Sequence, residues 1–490
     1  MIEESIRASG RFQVEIKSDY KLERERKHTT YTIETYAFVP NSLDVSRETY
    51  PKYLFYRDTQ TYIRFKTPIA LLSDIASDDS STFNVLEKSL KDLKRQKTGA
   101  SVQDCENQIR LFCCIVKYSI KDYIALIEMA ATPADAEHLI DYYHTNIVKI
   151  LRRFRKLDKI VGLPSMDERI HSIYALADEY SSIFIAQYTF DILEKSRKHG
   201  GDNTCGYRGA LLGLIREEER YRTKKSYPSV ATAGSNNEEF IYRRGILKRM
   251  MESILFLNTR VRPEGRVTEQ VIYSLAAGMA MVFATTVAFL TQQKYGNFTL
   301  AFFVALVVSY MFKDRLKEVI RLYVNEKVQG RYFDQKVQIY AGSGGNRLGF
   351  SRESFQFVSE AGLQPEIRSL RHRDPLTWIN TEQLGEKVIL YRKTLKIFSR
   401  NFEQVYHGIQ VDGLTDIWRV NMARFVRKMD NPKKPLFVLD GKDYRMAKAS
   451  KVYHINLVIR YVASHGEQYK RYRVVLSRSG IKRIEKIENI

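Results

Sequence analysis

Four cysteines in 490 residues, none in a CxxC pair, leave little room for disulfide or zinc chemistry. Cys113 and Cys114 are adjacent in an apolar helical stretch, and Cys105 and Cys205 stand alone. No histidine lies close enough in sequence to complete a zinc knuckle, so all four read as free thiols in a reducing compartment. The N-terminal stretch MIEESIRASGRFQVEI has no basic segment followed by an apolar one. A signal peptide is not expected, and the first segment is expected to stay on the side where it is made. No HExxH, GxSxG, GxxxxGK[ST] or kinase-type set occurs. Gly342, Gly344, Gly345 and Gly349 miss the GxGxxG spacing, because position 347 is Arg, and they read as a flexible linker. No internal repeat is visible, and no cofactor is expected. A catalytic triad, whose members need not be close in sequence, is not excluded by these absences.

One stretch lacks charge altogether. Val271–Thr291 is 21 residues without Asp, Glu, Lys, Arg or His. At 1.5 Å per residue that length matches a hydrocarbon core of about 30 Å. A second apolar run, Phe298–Phe312, follows the polar turn QQKYGN. It is shorter, roughly 22 Å as helix, and needs Lys313 and Arg315 to snorkel or the bilayer to thin. The pattern predicts a transmembrane helical hairpin; the competing reading is a buried hairpin of a soluble fold. Arg260, Arg262 and Arg266 precede it and Lys313, Arg315, Lys317 and Arg321 follow it, against Lys294 alone in the turn. The positive-inside rule then places both flanks, and both termini, in the cytoplasm. The Asn297-Phe298-Thr299 sequon abuts the membrane and is read as chance.

What flanks the hairpin is polar enough to be soluble. The net charge is +22, and roughly +13 of it falls in residues 391–490. Residues 1–68 carry period-two runs and predict an N-terminal β element. Residues 69–265 carry apolar spacings of three and four and predict a cytoplasmic helical bundle. The hairpin itself is 266–312, with a helical extension over 313–330. Residues 331–490 read as a basic, mostly β cytoplasmic domain, clearest where Tyr453, Ile455, Leu457, Ile459 and Tyr461 alternate with polar neighbours. The fold class is therefore integral membrane α+β, with a two-helix transmembrane hairpin between a helical bundle and a C-terminal mostly β domain. Whether the N-terminal strands pack on the C-terminal ones is left open by the sequence.

Few residues carry candidate chemistry. Ala276, Ala280, Ala284 and Ala288 recur every four residues, as do Ala301, Ala305 and Ser309. Each set lies on one helix face and forms a small-residue stripe that lets two backbones approach. With Ser274, Thr285, Thr286 and Ser309 as the only polar lining, a pore would need several protomers. Asp141-x-x-His144 and Glu168-x-x-His171 each put a carboxylate and a histidine on one face, half of a di-metal arrangement. They lack the intervening helix with a lone Glu and read as solvated faces. Arg460, Lys470, Arg471, Arg473, Arg478, Lys482 and Arg483, interleaved with Tyr461, Tyr469 and Tyr472, form a basic surface. It suits anionic headgroups and, as a second partner, nucleic acid.

These features point to a membrane-anchored cytoplasmic interaction, sensing or signalling protein without evident catalysis. Its expected partners are the lipid bilayer, a cytoplasmic protein or ligand, and a second copy in a homo-oligomer. Two near-continuous helices, 237–258 and 312–326, are expected to couple the bundle to the membrane. The alternatives are a subunit of a homo-oligomeric pore gated by its cytoplasmic domains, and a membrane-tethered enzyme or nucleic-acid-binding protein.

Overall fold

The computed structural model describes residues 3–487 except 24, 69, 96, 131, 201–204, 265, 297–298, 329–332, 342–344, 373–384 and 406–412. It is mixed, 50% helix and 30% strand. The chain opens with β1 (Glu3–Ala8), β2 (Gln13–Lys21), β3 (Thr29–Pro40), α1 (Lys52–Asp58) and β4 (Thr59–Phe65). Helices follow: α2 (Leu72–Ala76), α3 (Ser81–Arg95), α4 (Gly99–Glu128), α5 (Pro133–Lys156), α6 (Asp158–Val161), α7 (Glu168–Gly200), α8 (Cys205–Lys224) and α9 (Glu238–Glu252). Next come β5 (Asn258–Pro263), α10 (Arg266–Tyr295), α11 (Leu300–Val328), β6 (Gln335–Tyr340), β7 (Arg347–Val358), α12 (Pro365–His372), β8 (Glu386–Ile397) and α13 (Ser399–Val405). The last strands are β9 (Gly413–Asn421), β10 (Lys433–Asp440), β11 (Asp443–Ser450), β12 (Tyr453–Ala463), β13 (Gly466–Ser477) and β14 (Gly480–Ile487). Two units result: a β unit of Met1–Ile63, Leu257–His407 and Gly413–Ile490, and a helical unit built on Arg64–Phe256.

The β unit holds an eight-stranded sheet, ordered β14-β13-β12-β3-β8-β7-β6-β5, and a four-stranded one, ordered β1-β2-β9-β4. The question left open by the sequence is answered by β3. It pairs with β8 from Thr29↔Ile397 to Pro40↔Glu386 and with β12 through Phe38↔Asn456, so an N-terminal strand is central to the C-terminal sheet. Its sequence TTYTIETYAFVP is buried on both faces, as a central strand requires. Toward the four-stranded sheet, Tyr391 stacks on Trp418 at 4.6 Å and Phe55 on Phe355 at 4.3 Å. The opposite face presents Tyr36, Phe38, Val388, Leu390 and Val458, covered by Leu363 and by Ile367 of α12. A cavity of about 50 Å³ remains between the sheets, lined by Val14, Ile16, Tyr50, Ile389, Trp418 and Leu457 among others. It is too small for a ligand, and its apolar lining gives water no partners.

The helical unit follows its periodicity. Thr98 caps α4 by accepting from the Ser101 amide, and Thr132 caps α5 with Pro133 at the first position. Its core is an aromatic stack: Phe83 meets Phe112 at 4.7 Å, Phe112 meets Phe154 at 5.1 Å, and Phe154 meets Tyr174 at 4.9 Å.

Two expectations are corrected. Among the described residues one helix is long and apolar enough to cross a membrane, Gln270–Tyr295 within α10. The second run does not qualify, because α11 is uncharged only from Leu300 to Phe312 before Lys313, Asp314 and Arg315 follow in the same helix. A hairpin of two full spans is therefore unsupported. The near-continuous helical link expected over 237–258 is also interrupted. α9 stops at Glu252, a short turn follows at Ser253–Leu255, and β5 intervenes before α10. The other predicted connection is continuous, since α11 runs unbroken from Leu300 to Val328.

Candidate functional site

The strongest candidate is the pair α10–α11, which leaves and re-enters the sheet between neighbouring strands. β5 pairs with β6 from Asn258↔Tyr340 to Pro263↔Gln335, so the two legs start and finish one strand spacing apart, about 5 Å. Ser309 Oγ donates to the Ala284 carbonyl at 3.2 Å, and the Arg321 guanidinium lies 4.2 Å over the Tyr273 ring. These contacts set one antiparallel register. Ala276, Ala280 and Ser309 are buried, and Ala284, Ala288 and Ala305 are half-buried. Small side chains thus line the seam, where close backbone approach lets a serine hydroxyl reach a neighbouring carbonyl. The side chain of Ala301, and Asn297 and Phe298 of the sequon, lie outside the described residues.

The register has a consequence for depth. At equal rise per residue it sets Ala288 level with Ala305, and Ala280 level with Lys313. The uncharged stretch of α10 therefore continues about 13 Å past the point where α11 becomes charged. The slab in which both helices are uncharged is only about 20 Å deep. Ser274, Thr285 and Thr286 donate to the carbonyls of Gln270, Met281 and Val282 on their own helix. Their hydroxyls are satisfied locally, so they offer little to a polar pathway.

In the helical unit, Glu137, His138, Asp141, His144, Tyr207 and Leu211 line an open cleft of about 380 Å³ between α5 and α8. Asp141 and His144 are thus brought to one cleft, whereas Glu168 and His171 are not among its lining residues. Among the described residues no group of three or more His, Cys, Asp or Glu could hold a metal ion. Deeper in this unit lies a polar cluster that sequence reasoning missed. Arg155 grips Glu218 through two bonds of 2.9 and 2.7 Å and reaches Asp178 at 3.3 Å. Tyr221 and Tyr227 both donate to Asp178, at 2.8 and 2.9 Å. The Glu218 contact holds the Arg155 guanidinium charged against the cost of burial. Lys117 meets Glu252 and Tyr180; burial pushes its ammonium down, and Glu252 pulls it back. The neighbouring Cys114 thiol is pushed well up by burial, which leaves it unreactive.

A second buried cluster sits inside the β unit. Lys393 of β8 lies 2.6 Å from Asp416 of β9 and 3.4 Å from Glu353 of β7, and all three are buried. Gln335 donates to Glu353 at 2.7 Å. Burial pushes Asp416 above the usual carboxylate range, with Lys393 only partly offsetting it. The signal in the sequence was parity. Lys393 shares a strand face with Ile389, Tyr391 and Leu395, an interior face for a charge.

The seven basic residues singled out from the sequence are distributed unevenly. Arg471 and Arg473 are buried, and Arg473 bonds Glu485 at 3.3 Å. Arg460 is held by Glu34 at 3.0 Å and by Glu467 at 2.5 Å. Lys470 lies 3.6 Å from Glu4, whose carboxyl burial pushes up. Arg483 pairs with Glu485 at 2.6 Å, and Arg478 and Lys482 are exposed. Of the glycine-rich stretch, Gly342 and Gly344 lie outside the described residues, and Gly349 begins the β7–β8 pairing opposite Ile397.

No family model, no curated protein and no solved structure matches this chain. The functional reading therefore rests on its own residues.

Proposed function

We propose that this chain is a membrane-anchored interaction or signalling protein. It is held in a bilayer by α10 with α11 alongside, and it presents both folded units on the cytoplasmic side. The observation that carries the reading is the exposure of α10: only 11% of its most apolar stretch is buried. A core helix of a soluble protein would be covered, whereas this one leaves Leu275, Met279, Val282, Phe289 and Leu290 open. The polar tip around Gln292, Gln293 and Lys294 suits the far interface better than the hydrocarbon centre. The shared uncharged depth of about 20 Å, against a usual core of about 30 Å, calls for local thinning or snorkelling around α11. The arginines before α10 and the cations of α11 favour the cytoplasmic side for both flanks. The satisfied hydroxyls on α10 and the inward-turned Ser309 favour an anchor over a pore. The α5–α8 cleft, with its carboxylates and imidazoles, is the proposed docking place for a cytoplasmic ligand or protein segment.

The test uses intact cells and two single substitutions, Gln293→Cys at the tip and Arg262→Cys on the flank. The chain is expected to stay with membranes after alkaline carbonate extraction. An impermeant maleimide is expected to label the tip from outside, and the flank only after permeabilisation. Release by carbonate, or equal labelling of both positions from one side, overturns the reading.

A further inference from the structure

Residues 433–450 form a two-stranded ribbon that belongs to neither large sheet. β10 pairs with β11 from Lys433↔Ser450 to Asp440↔Asp443. The turn Gly441-Lys442 has Gly441 at φ +66°, the left-handed conformation that the first position of a tight hairpin turn demands. Directly opposed residues share a face of such a ribbon. Phe437 opposite Met446 and Leu439 opposite Tyr444 therefore lie on one face, two residues apart along each strand. They are exposed by 67%, 60%, 89% and 65% respectively. The Phe437 and Tyr444 rings meet edge to face at 5.9 Å, so the patch is continuous. A lone two-stranded hairpin is marginal in water, and soluble surfaces rarely carry four large apolar side chains on one bare face.

The strand registers say at which rim of the large sheet the ribbon is rooted. Pro263 opposes Gln335, Gln335 opposes Glu353, Val358 opposes Val388, Glu386 opposes Pro40, and Phe38 opposes Asn456. The end of β5, from which α10 departs, and the start of β12, which the ribbon precedes, thus lie on the same rim of the eight-stranded sheet. They are five strands apart, about 24 Å across the sheet, but not level: the ladder runs from Pro263 through Gln335, Glu353, Lys393 and Ile33 to Tyr461, so Tyr453 lies further along toward that rim. The stem between Pro263 and the apolar part of α10 is short, on the order of 10 Å. The ribbon is longer: Met446 to Tyr453 spans roughly 24 Å of extended chain. Its base is fixed, because Lys451 pairs with Asp430 and Tyr453 donates to the same carboxylate at 3.2 Å.

Charge chooses the occupant. Lys433 and Lys448 lie on the apolar face at its base, and Lys442 sits at the turn. The ribbon through Lys451 has six cationic residues against Asp440 and Asp443. Two such ribbons repel one another, whereas an anionic surface attracts one, with lysine ammoniums at headgroup level and the apolar side chains below them.

We infer that the ribbon lies with Phe437, Leu439, Tyr444 and Met446 at the headgroup–acyl boundary of an anionic bilayer, the same bilayer that α10 enters. The inference rests on the membrane reading above. The ribbon is then a second, reversible contact that orients the sheet against the surface, beside the permanent anchor.

The test uses the full chain reconstituted in phosphatidylcholine vesicles, with or without roughly one-third phosphatidylserine. An environment-sensitive probe is attached at Leu439→Cys on the apolar face or at Leu436→Cys on the opposite face, which is also exposed. Unsubstituted chain labelled in parallel sets the background. With phosphatidylserine, the probe at 439 is expected to shift to the blue and to lose about threefold of its quenching by aqueous iodide, the probe at 436 much less. If the chain resists carbonate extraction but both probes stay equally quenchable, the ribbon inference is overturned and the anchor stands. If carbonate releases the chain, both fall. Equal shielding without phosphatidylserine, or shielding that rises with protein-to-lipid ratio, also overturns it, the latter in favour of a second copy of this chain.

Discussion

Replacing Lys393 by Met tests whether the β unit is held by compensated charge or by packing alone. In the native unit Lys393 serves two carboxylates, Asp416 at 2.6 Å and Glu353 at 3.4 Å, none of them open to solvent. Methionine nearly matches the lysine stem in volume, so little cavity forms, and the change isolates the charge. Two buried carboxylates without a cation cost roughly 3–5 kcal/mol. At roughly 2–4 °C per kcal/mol for a unit of this size, the midpoint drops by roughly 6–20 °C. Trp418 stacks on Tyr391 beside the cluster, so its fluorescence in a Trp378→Phe background reports the transition. The pH dependence has a definite sign. Asp416 already has a folded pKa above its unfolded one, because burial outweighs Lys393. Without Lys393 it rises further. A raised carboxylate is penalised fully above its folded pKa and relieved as pH falls toward the unfolded value, so the deficit shrinks from about pH 7 toward about pH 4. The triple change Lys393→Met, Glu353→Gln, Asp416→Asn recovers much of the loss. A loss under about 1 kcal/mol, or a deficit that grows in acid, refutes the argument.

Ala280→Phe, at a buried seam position, is expected to destabilise the α10–α11 pair by about 1–3 kcal/mol through overpacking. Val282→Phe on the open face of α10 should do nothing measurable in the same thermal assay in detergent. The shallow shared slab predicts a preference for thin bilayers: insertion into short-chain lipid vesicles should exceed that into long-chain ones, and Lys313→Leu with Arg315→Leu should reduce the difference. Burial pushes the Cys105 thiol up to about 11 and Cys113 to about 12, with Cys114 also raised. In a Cys205→Ser background, a thiol reagent at neutral pH should react with none of the three until the helical unit unfolds. Rapid labelling of any one would contradict the packing of α4.

Local periodicity was legible and pairing was not. The alternation of Tyr453–Tyr461 falls in β12, which pairs with β13 with Ala463 opposite Gly466. Pro133 opens α5, and Asp167, whose carboxylate accepts from the Arg169 amide, immediately precedes α7, both residue types that favour helix starts. β5 carries only Val261 as an apolar signal in NTRVRP and is exposed throughout, so its pattern resembles a charged flank. α12 forms within a strand-rich region because it covers a sheet face, a tertiary demand that no window of sequence contains. The same covering explains the basic strands. Alternation predicted one buried and one solvated face, but both faces of this sheet are covered near β12, so Arg471 and Arg473 are buried. The ion cluster joins β7, β8 and β9, far apart in the chain, and only the parity of Lys393 hinted at it. The depth of the helical pair depended on a register between α10 and α11 that either helix alone leaves undetermined.

On the proposed membrane reading, that register and the sheet topology together constrain how a signal would pass between the bilayer and the sheet. A route through a helix continuous from α9 is closed by β5. What remains is a pair of helices inserted as one long connection between two paired edge strands, with Pro263 opposite Gln335. A rotation or tilt of α10 against α11 must appear at the sheet as a displacement of β5 relative to β6, and those strands form one edge of the eight-stranded sheet. An edge strand shifts more easily than a central one because it is held on one side only. β5 has all six residues exposed and little apolar contact to resist movement. Hydrogen exchange should therefore find the β5–β6 amides protected less than those of β3–β8, and their protection should change most when bilayer thickness is varied. Protection at β5–β6 as high as at β3–β8, and indifferent to lipid, would leave the helical pair an anchor with no mechanical link to the sheet.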